Sequence, residues 1–415
     1  MVAESENPLG IYISIPFCRS KCTYCNFASG VYPAADHERY VSRVIDDLAG
    51  AAPWAAATGV AIPRQVDTVY LGGGTPSLLA PELLARLFAA IRTHFDVDAD
   101  AEITVECAPG QLADAMPQAL AAAGVNRVSL GVQSFIDAEA HASGRLHDRA
   151  VVTADLSRLR SAGIANLNVD LIAGLAGQTF PSWQESLDAL INSGVPHASV
   201  YMLEVDEDSR LGLELLRGGE RYRAALVPVD DVIARMYESA IEHLHAAGLH
   251  QYEISNFSRP GFASRHNLRY WQRRPYLGLG LDASSALPAA DPSSRSAIPQ
   301  SVLRTTTTDD LGEYLAGPSI AESAWQSAER QHEEAWFLGL RLNTGVDVTA
   351  LEREFGRTMI APALETVDRL VEDGLLGFDD ARVRLTARGQ LIANEVFEQF
   401  LQPALAQAGA QNPSR

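Results

Sequence analysis

Cysteine is scarce in this chain, with four in 415 residues, and three of them fall within eight positions. That distribution excludes the dispersed, paired thiols of a small secreted disulfide scaffold, so these thiols read as metal ligands. Positive charge is also in the minority, at 33 Lys and Arg against 52 Asp and Glu, for a formal net charge of -19. A surface of that sign opposes phosphate neutralisation, which makes nucleic acid and anionic membrane poor partners. Apolar runs stay short of the ~20 residues that span a bilayer, and the opening MVAESENPLG has neither the basic start nor the apolar core of a signal peptide. The expectation is a cytoplasmic protein with no membrane span. A hydrophobic fraction of 47% is enough for a well-buried core, and the length calls for one large domain with a smaller companion.

Apolar, β-branched runs at 11–15, 66–71, 101–106, 127–132, 167–172 and 198–203 alternate with stretches of helical period, for example 80–94, 150–162 and 181–193. Repeated strand–helix order with apolar strands predicts an α/β fold, a parallel sheet covered by helices. Six such units predict a partial (β/α)6 TIM-like barrel. Polar and glycine residues follow each strand, and in such folds ligands collect at the carboxyl ends of the strands. Pro228 opens a further helix that ends near Gly248. Residues 286–306, rich in Ala, Pro and Ser, read as a loop or linker. Helix signals at 331–342, 347–355 and 361–373, short strands near 375–378 and 383–385, and a helix after Thr386 predict a winged-helix-like α+β module, more a docking domain than a DNA reader in so acidic a chain. The expected division is a barrel with its extension over 1–285, a linker over 286–310, a C-terminal domain over 311–402 and a flexible tail over 403–415.

The segment from Gly10 to Phe27, GIYISIPFCRSKCTYCNF, runs a strand directly into the spacing C-x3-C-x2-C. Three thiolates, Cys18, Cys22 and Cys25, can hold three corners of an iron–sulfur cubane and leave the fourth iron open. A zinc site would need a fourth ligand, for which His37 and the distant Cys107 are the available residues. The spacing, the preceding strand and Tyr24 resemble the radical S-adenosylmethionine (SAM) superfamily. That resemblance implies a radical SAM barrel whose [4Fe-4S] cluster chelates SAM through its open iron and, when reduced, cleaves it.

Further motifs strengthen the resemblance. LGGGTPS at 71–77, with Gly73, Gly74 and Thr75, is similar to the segment that contacts the SAM amino group, and glycine there lets backbone amides approach a ligand. Glu106 in TVECAPG, Gln133 in GVQSF, Arg145 in GRLH and Asp170 in NVDLIAGLAGQT resemble the SAM contacts of the coproporphyrinogen dehydrogenase and HemW group, as does Tyr12. Among these the chain most resembles the HemW heme chaperones, because RHNLRYW at 265–271 matches their HNxxYW motif and Asn26-Phe27 follow Cys25 where the dehydrogenases carry one more cysteine. The resemblance implies heme as ligand, His266 as its axial ligand, apo-hemoproteins as recipients, a homodimer, and flavodoxin or ferredoxin as electron donor where SAM is reduced. The other reading of His266 is a packed residue in a cap at the barrel rim. The competing implication is enzymatic: radical oxidative decarboxylation of a porphyrinogen. Ser14, LAGQT at 175–179 and GLGLDASSA at 278–286 depart from the family pattern.

Overall fold

The computed structural model describes residues 7–290, 301–317 and 319–401. Strand β1 (Leu9–Ile15) sets the pattern: Ile11, Ile13 and Ile15 are fully buried on one face, while Tyr12 and Ser14 point to the other. Then come α1 (Ala34–Thr58), β2 (Gln65–Gly73), α2 (Pro81–His94), β3 (Asp96–Cys107), α3 (Met116–Ala122), β4 (Arg127–Gln133), α4 (Asp137–Ala142), α5 (Arg149–Ser161), β5 (Asn166–Ala173), α6 (Phe180–Ser193) and β6 (His197–Met202). These six strands pair in parallel and in chain order. Local chemistry sets the joints. Before α6, for example, the Thr179 side chain accepts from the Ser182 amide, Pro181 occupies the first turn, and Gly194 ends the helix at φ 69.

After β6, helices α7 (Arg210–Leu216) and α8 (Asp230–Ala246) lead to β7 (His250–Glu253) and β8 (Asn256–Ser258), which extend the sheet, β8 antiparallel to β6 and β7 antiparallel to β8 at the edge. Helix α9 (Arg265–Trp271) then crosses to the opposite edge, where β9 (Tyr276–Gly280) runs parallel to β1. There β10 (Ser284–Pro288), β11 (Val302–Thr307) and, beyond α10 (Leu311–Ala316), β12 (Ile320–Trp325) complete a sheet of twelve strands among the described residues. The stretch expected as a linker is therefore corrected: it holds β11 and the end of β10, and the large sheet runs to Trp325, past the expected boundary at 285. The Ala, Pro and Ser composition of 286–301 masked the short run VLRTTT, whose β-branched residues suit a pleated surface and bury Leu303, Thr305 and Thr307. Residues 291–300 and the expected tail at 403–415 lie outside the described residues.

A second apolar cluster, including Trp336, Ile360, Val367, Leu370, Val383 and Val396, holds α11 (Ala328–Gly339), β13 (Val346–Asp347), α12 (Val348–Phe355), α13 (Arg357–Glu372), β14 (Leu376–Asp379), β15 (Arg382–Leu385), α14 (Ala387–Leu391) and α15 (Ala393–Glu398). Its three strands form a separate sheet in the order β13-β15-β14. Helix–helix–wing order of this kind is the winged-helix-like pattern. No helix among the described residues is long and apolar enough to cross a membrane.

Candidate functional site

The loop after β1 closes on itself, with Cys18 N–H donating to Gly30 O at 2.8 Å and Gly30 N–H to Pro16 O at 2.9 Å. Two other segments clamp it. Thr23 N–H donates to Ser143 O at 3.0 Å, Ser20 Oγ donates to Gly144 O at 3.1 Å, and Leu211 N–H donates to Thr23 O at 2.8 Å. Asn26 Nδ2 donates to Asp206 Oδ2 at 2.7 Å. Cys18, Cys22 and Cys25 are half-buried free thiols, and all three line one cavity of about 380 Å³.

The carboxyl ends of the strands supply the rest of its wall: Gly73, Gly74 and Thr75 after β2, Glu106 and Cys107 at the end of β3, Gln133 closing β4, Asp170 on β5 and Tyr201 on β6, with Tyr24 and Arg145 from loops. Gly74 has no room for a side chain: a Cβ there would sit 2.8 Å from Ile15 O and 2.9 Å from Phe17 O. Gly73 adopts φ 96, a conformation that glycine takes without strain. The strand end is thus pressed against the cysteine loop, and Thr75 N–H donates to Phe17 O at 2.8 Å. Tyr12 does not reach the cavity. It sits one layer below, its ring 6.1 Å from that of Tyr70, whose hydroxyl donates to Glu106 Oε1 at 2.7 Å. Tyr70, Ser129 and Tyr201 belong to the site and were not singled out in the sequence. Their signal is position on the same strand face as Gly72, Gly131 and Asp170, at spacings of two.

Burial pushes the Glu106 carboxyl up from 4.5 to about 7, with Asp170 adding to the rise and the Tyr70 hydroxyl and Gly73 amide opposing it. Burial raises Asp170 as well, against hydrogen bonds from Ser199, Asn168 and Ser129. Two carboxyls so placed resist being ionised together. The native Glu106 holds a proton that the unfolded chain has already lost between pH 4.5 and about 7, so the stability owed to this group is present at low pH and falls as pH rises through 7. Glu106→Gln is expected to flatten that decline and to gain roughly 1–3 kcal/mol over the wild type at pH 8 relative to pH 5. Parallel denaturation curves of the two proteins at both pH values check it, and curves that keep a constant separation refute it.

Arg145 Nη2 donates to Tyr24 Oη at 3.1 Å, while its buried Nε has no partner. A buried donor left unpaired is costly, and this one lies among cavity-lining groups able to meet an anionic ligand. Cys107 is buried, and burial pushes its thiol up to about 12, as suits a packed side chain rather than a ligand. His37 stacks on Phe17 at 4.0 Å and is not part of the cavity wall. Among the described residues no three His, Cys, Asp or Glu side chains form a single-metal site.

His266 lies elsewhere. Its Nδ1 meets Thr68 Oγ1 at 2.9 Å and its Nε2 meets Tyr270 Oη at 2.8 Å, so both ring nitrogens are taken. Burial, with Arg269 and Arg127 nearby, lowers its pKa to about 3 and keeps the ring neutral. Tyr270 and Trp271 line a different cavity of about 730 Å³, between α9 and helices α11 and α12, together with Arg273, Arg304, Glu334 and Arg353. Arg273 spans it to Glu354 with bonds of 2.9 and 2.6 Å. The Trp271 indole nitrogen and Arg304 Nε are buried there without hydrogen-bond partners.

Comparison with known proteins supplies the remaining observations. The Radical SAM superfamily model matches residues 12–190, and the HemN C-terminal domain model matches 326–392. The heme chaperone HemW of Lactococcus lactis is 33% identical over 400 residues, covering 95% of this chain and 98% of its own. The corresponding protein of Bacillus subtilis is 32% identical over 94% of this chain and 98% of its own, and that of Escherichia coli 30% identical over 95% and 98%. Among solved structures, the coproporphyrinogen III oxidase of Escherichia coli, a radical SAM enzyme, has the same fold, with a TM-score of 0.79 at 23% identity over 96% of this chain and 91% of its own.

Proposed function

The chain belongs to the heme chaperone HemW family, and from that premise we propose that it is a cytoplasmic [4Fe-4S]- and SAM-binding protein that takes up heme and passes it to apo-hemoproteins. The observation that carries this reading is the convergence of Cys18, Cys22 and Cys25 with the glycine turn, Glu106, Gln133, Arg145 and Asp170 around one cavity. The residues fit the groups: three thiols for three irons, a turn too tight for any Cβ, and an orphaned guanidinium donor.

In this reading Cys18, Cys22 and Cys25 hold the cluster, and Gly73 and Gly74 offer main-chain carbonyls and Thr75 a hydroxyl to the amino group of SAM, their amides being taken by Glu106, Ile15 O and Phe17 O. Glu106 and Asp170 accept from the ribose hydroxyls, Arg145 meets the carboxylate in a charge-assisted pair, and Tyr24 and Gln133 border the nucleoside. Tyr12 supports the site from below through Tyr70. When bound, the cluster supplies an open iron position and an electron, which flavodoxin or ferredoxin would deliver. Asn26 serves to tie the loop to Asp206, and Phe27 stands where an enzyme of the related dehydrogenase group would place a further thiol.

His266 could reach heme iron only by giving up Thr68 and Tyr270, so we assign the porphyrin to the cleft beyond Tyr270. Its volume lies within the ~300–1,000 Å³ usual for ligand pockets. Tyr270 and Trp271 offer flat apolar faces, Arg353 offers a cation to one propionate, and Arg304, which donates to Tyr276 Oη at 2.5 Å and to Glu334 Oε2 at 2.6 Å, would exchange Glu334 for the other. The test is anaerobic. Reconstituted protein is expected to take up one heme and to release it to an apo-hemoprotein, with coproporphyrinogen III left unconverted. Arg304→Gln is expected to weaken uptake roughly tenfold or more, as the loss of a charged hydrogen bond worth ~1.5–3 kcal/mol would. Substantial conversion of coproporphyrinogen III would replace the chaperone reading with the enzymatic one.

A further inference from the structure

We propose that His245 and His250, remote from the thiol cavity, form a surface site for a borderline divalent transition ion such as zinc. His245 lies in the last turn of α8 and His250 opens β7. The chain between them is fixed. Gly248 takes φ 81, its N–H donates to His245 O at 2.9 Å, and Leu249 N–H donates to Leu244 O at 2.8 Å, a left-handed helix end of the usual kind. Leu244 and Leu249 anchor this turn in the core. The two imidazoles are therefore presented at a set separation, Nδ1 to Nδ1 at 3.1 Å, with ring centroids 4.7 Å apart.

That separation suits two ligands of one ion. Zinc–nitrogen bonds of ~2.0–2.1 Å place two nitrogens about 3.3 Å apart at a tetrahedral centre and about 2.9 Å apart at a right angle. Without an ion, the contact requires one ring to carry its proton on Nδ1 and the other on Nε2. On binding, the first ring moves its proton to the solvent-facing Nε2, so both Nδ1 lone pairs turn to the metal, both rings stay neutral and no proton is released. Both residues are exposed, and water completes the coordination. The carbonyl end of α8 and the net charge of -19 favour a cation. Imidazole pairs select zinc, nickel or copper over magnesium or calcium. His243 is not a third ligand through Nδ1, which meets Ser239 O at 2.8 Å.

Calorimetric titration of the cluster-loaded protein with Zn(II), beside His245→Gln and His250→Gln, tests the assignment. The cluster occupies the three cysteines, and any other zinc site is common to all three proteins and cancels. The wild type is expected to bind one zinc more than either variant in the micromolar range, or to bind it at least ~10-fold more tightly, since either change breaks the chelate. Mg(II) is expected to give no such difference. Equal stoichiometry and affinity in all three proteins, or equal binding of Mg(II), would overturn the proposal.

Discussion

Cys22→Ala is expected to leave the fold intact and to cut the iron and sulfide retained after anaerobic reconstitution by roughly tenfold or more. A cubane held by three thiolates already has one open corner, and two protein ligands leave half its irons unheld. The fold does not depend on this side chain. Cys22 is half-buried on the cavity wall, and the loop is fixed by main-chain bonds from Thr23 to Ser143 and from Leu211 to Thr23. The spectral response to SAM should vanish with the cluster. Heme uptake should persist, because the cleft beside Trp271 shares no lining residue with the thiol cavity. Iron and sulfide analysis, with a heme titration of the same sample, separates these outcomes. Wild-type levels of both iron and sulfide in the variant would remove the cysteine triad from the mechanism.

The cysteine loop and the strand-end residues were legible because their chemistry is local. Ligands of one cluster crowd into one loop, and parallel strands deliver their carboxyl ends to one face whatever the exact packing. Glu106, Gln133, Arg145 and Asp170 could thus be placed together without knowing which helix covers which strand. Tyr70 and Ser129 could not, since a lone tyrosine or serine within an apolar strand reads as core. Only the period of two that sets them beside Gly72 and Gly131 marks them as inward-facing. The linker reading failed for the reverse reason: composition over 286–301 drowned a six-residue strand whose partners lie across the sheet edge. The RHNLRYW motif was legible as a motif but not as a structure. The sequence leaves His266 open between a heme ligand and a packed cap at the barrel rim, and nothing in it marks Arg269 as buried. In the fold α9 turns both inward, where Glu102 accepts the amides of Arg265 and His266 at 3.0 Å each.

That inward turn creates the largest stability effect to be expected from a single change. Asp67→Asn should destabilise the protein by about 3–5 kcal/mol, the usual cost of stranding one partner of a buried ion pair. The Arg269 side chain is 0% exposed and Asp67 6%. Arg269 donates to Asp67 Oδ1, to Pro8 O at 2.7 Å and to Pro275 O at 2.9 Å, and Arg274 donates to Asp67 Oδ2 at 2.7 Å. Arg265 Nη2 also lies 3.7 Å from Asp67 Oδ2, so this carboxylate faces three guanidinium groups. Burial lowers the Arg269 pKa, with Asp67 opposing, only to about 10, so the arginine stays charged at neutral pH and cannot escape by losing its proton. Asparagine keeps the shape and one acceptor but removes the charge, which isolates the electrostatic part of the loss. Pairing Asp67→Asn with Arg269→Met should recover part of it, because the stranded charge is then gone, although Pro8 O and Pro275 O lose a donor. Denaturant midpoints of the two single variants and the double variant measure the coupling. An Asp67→Asn loss below about 1 kcal/mol would mean that solvent reaches the pair, and that α9 does not seal this end of the barrel as tightly as its geometry implies.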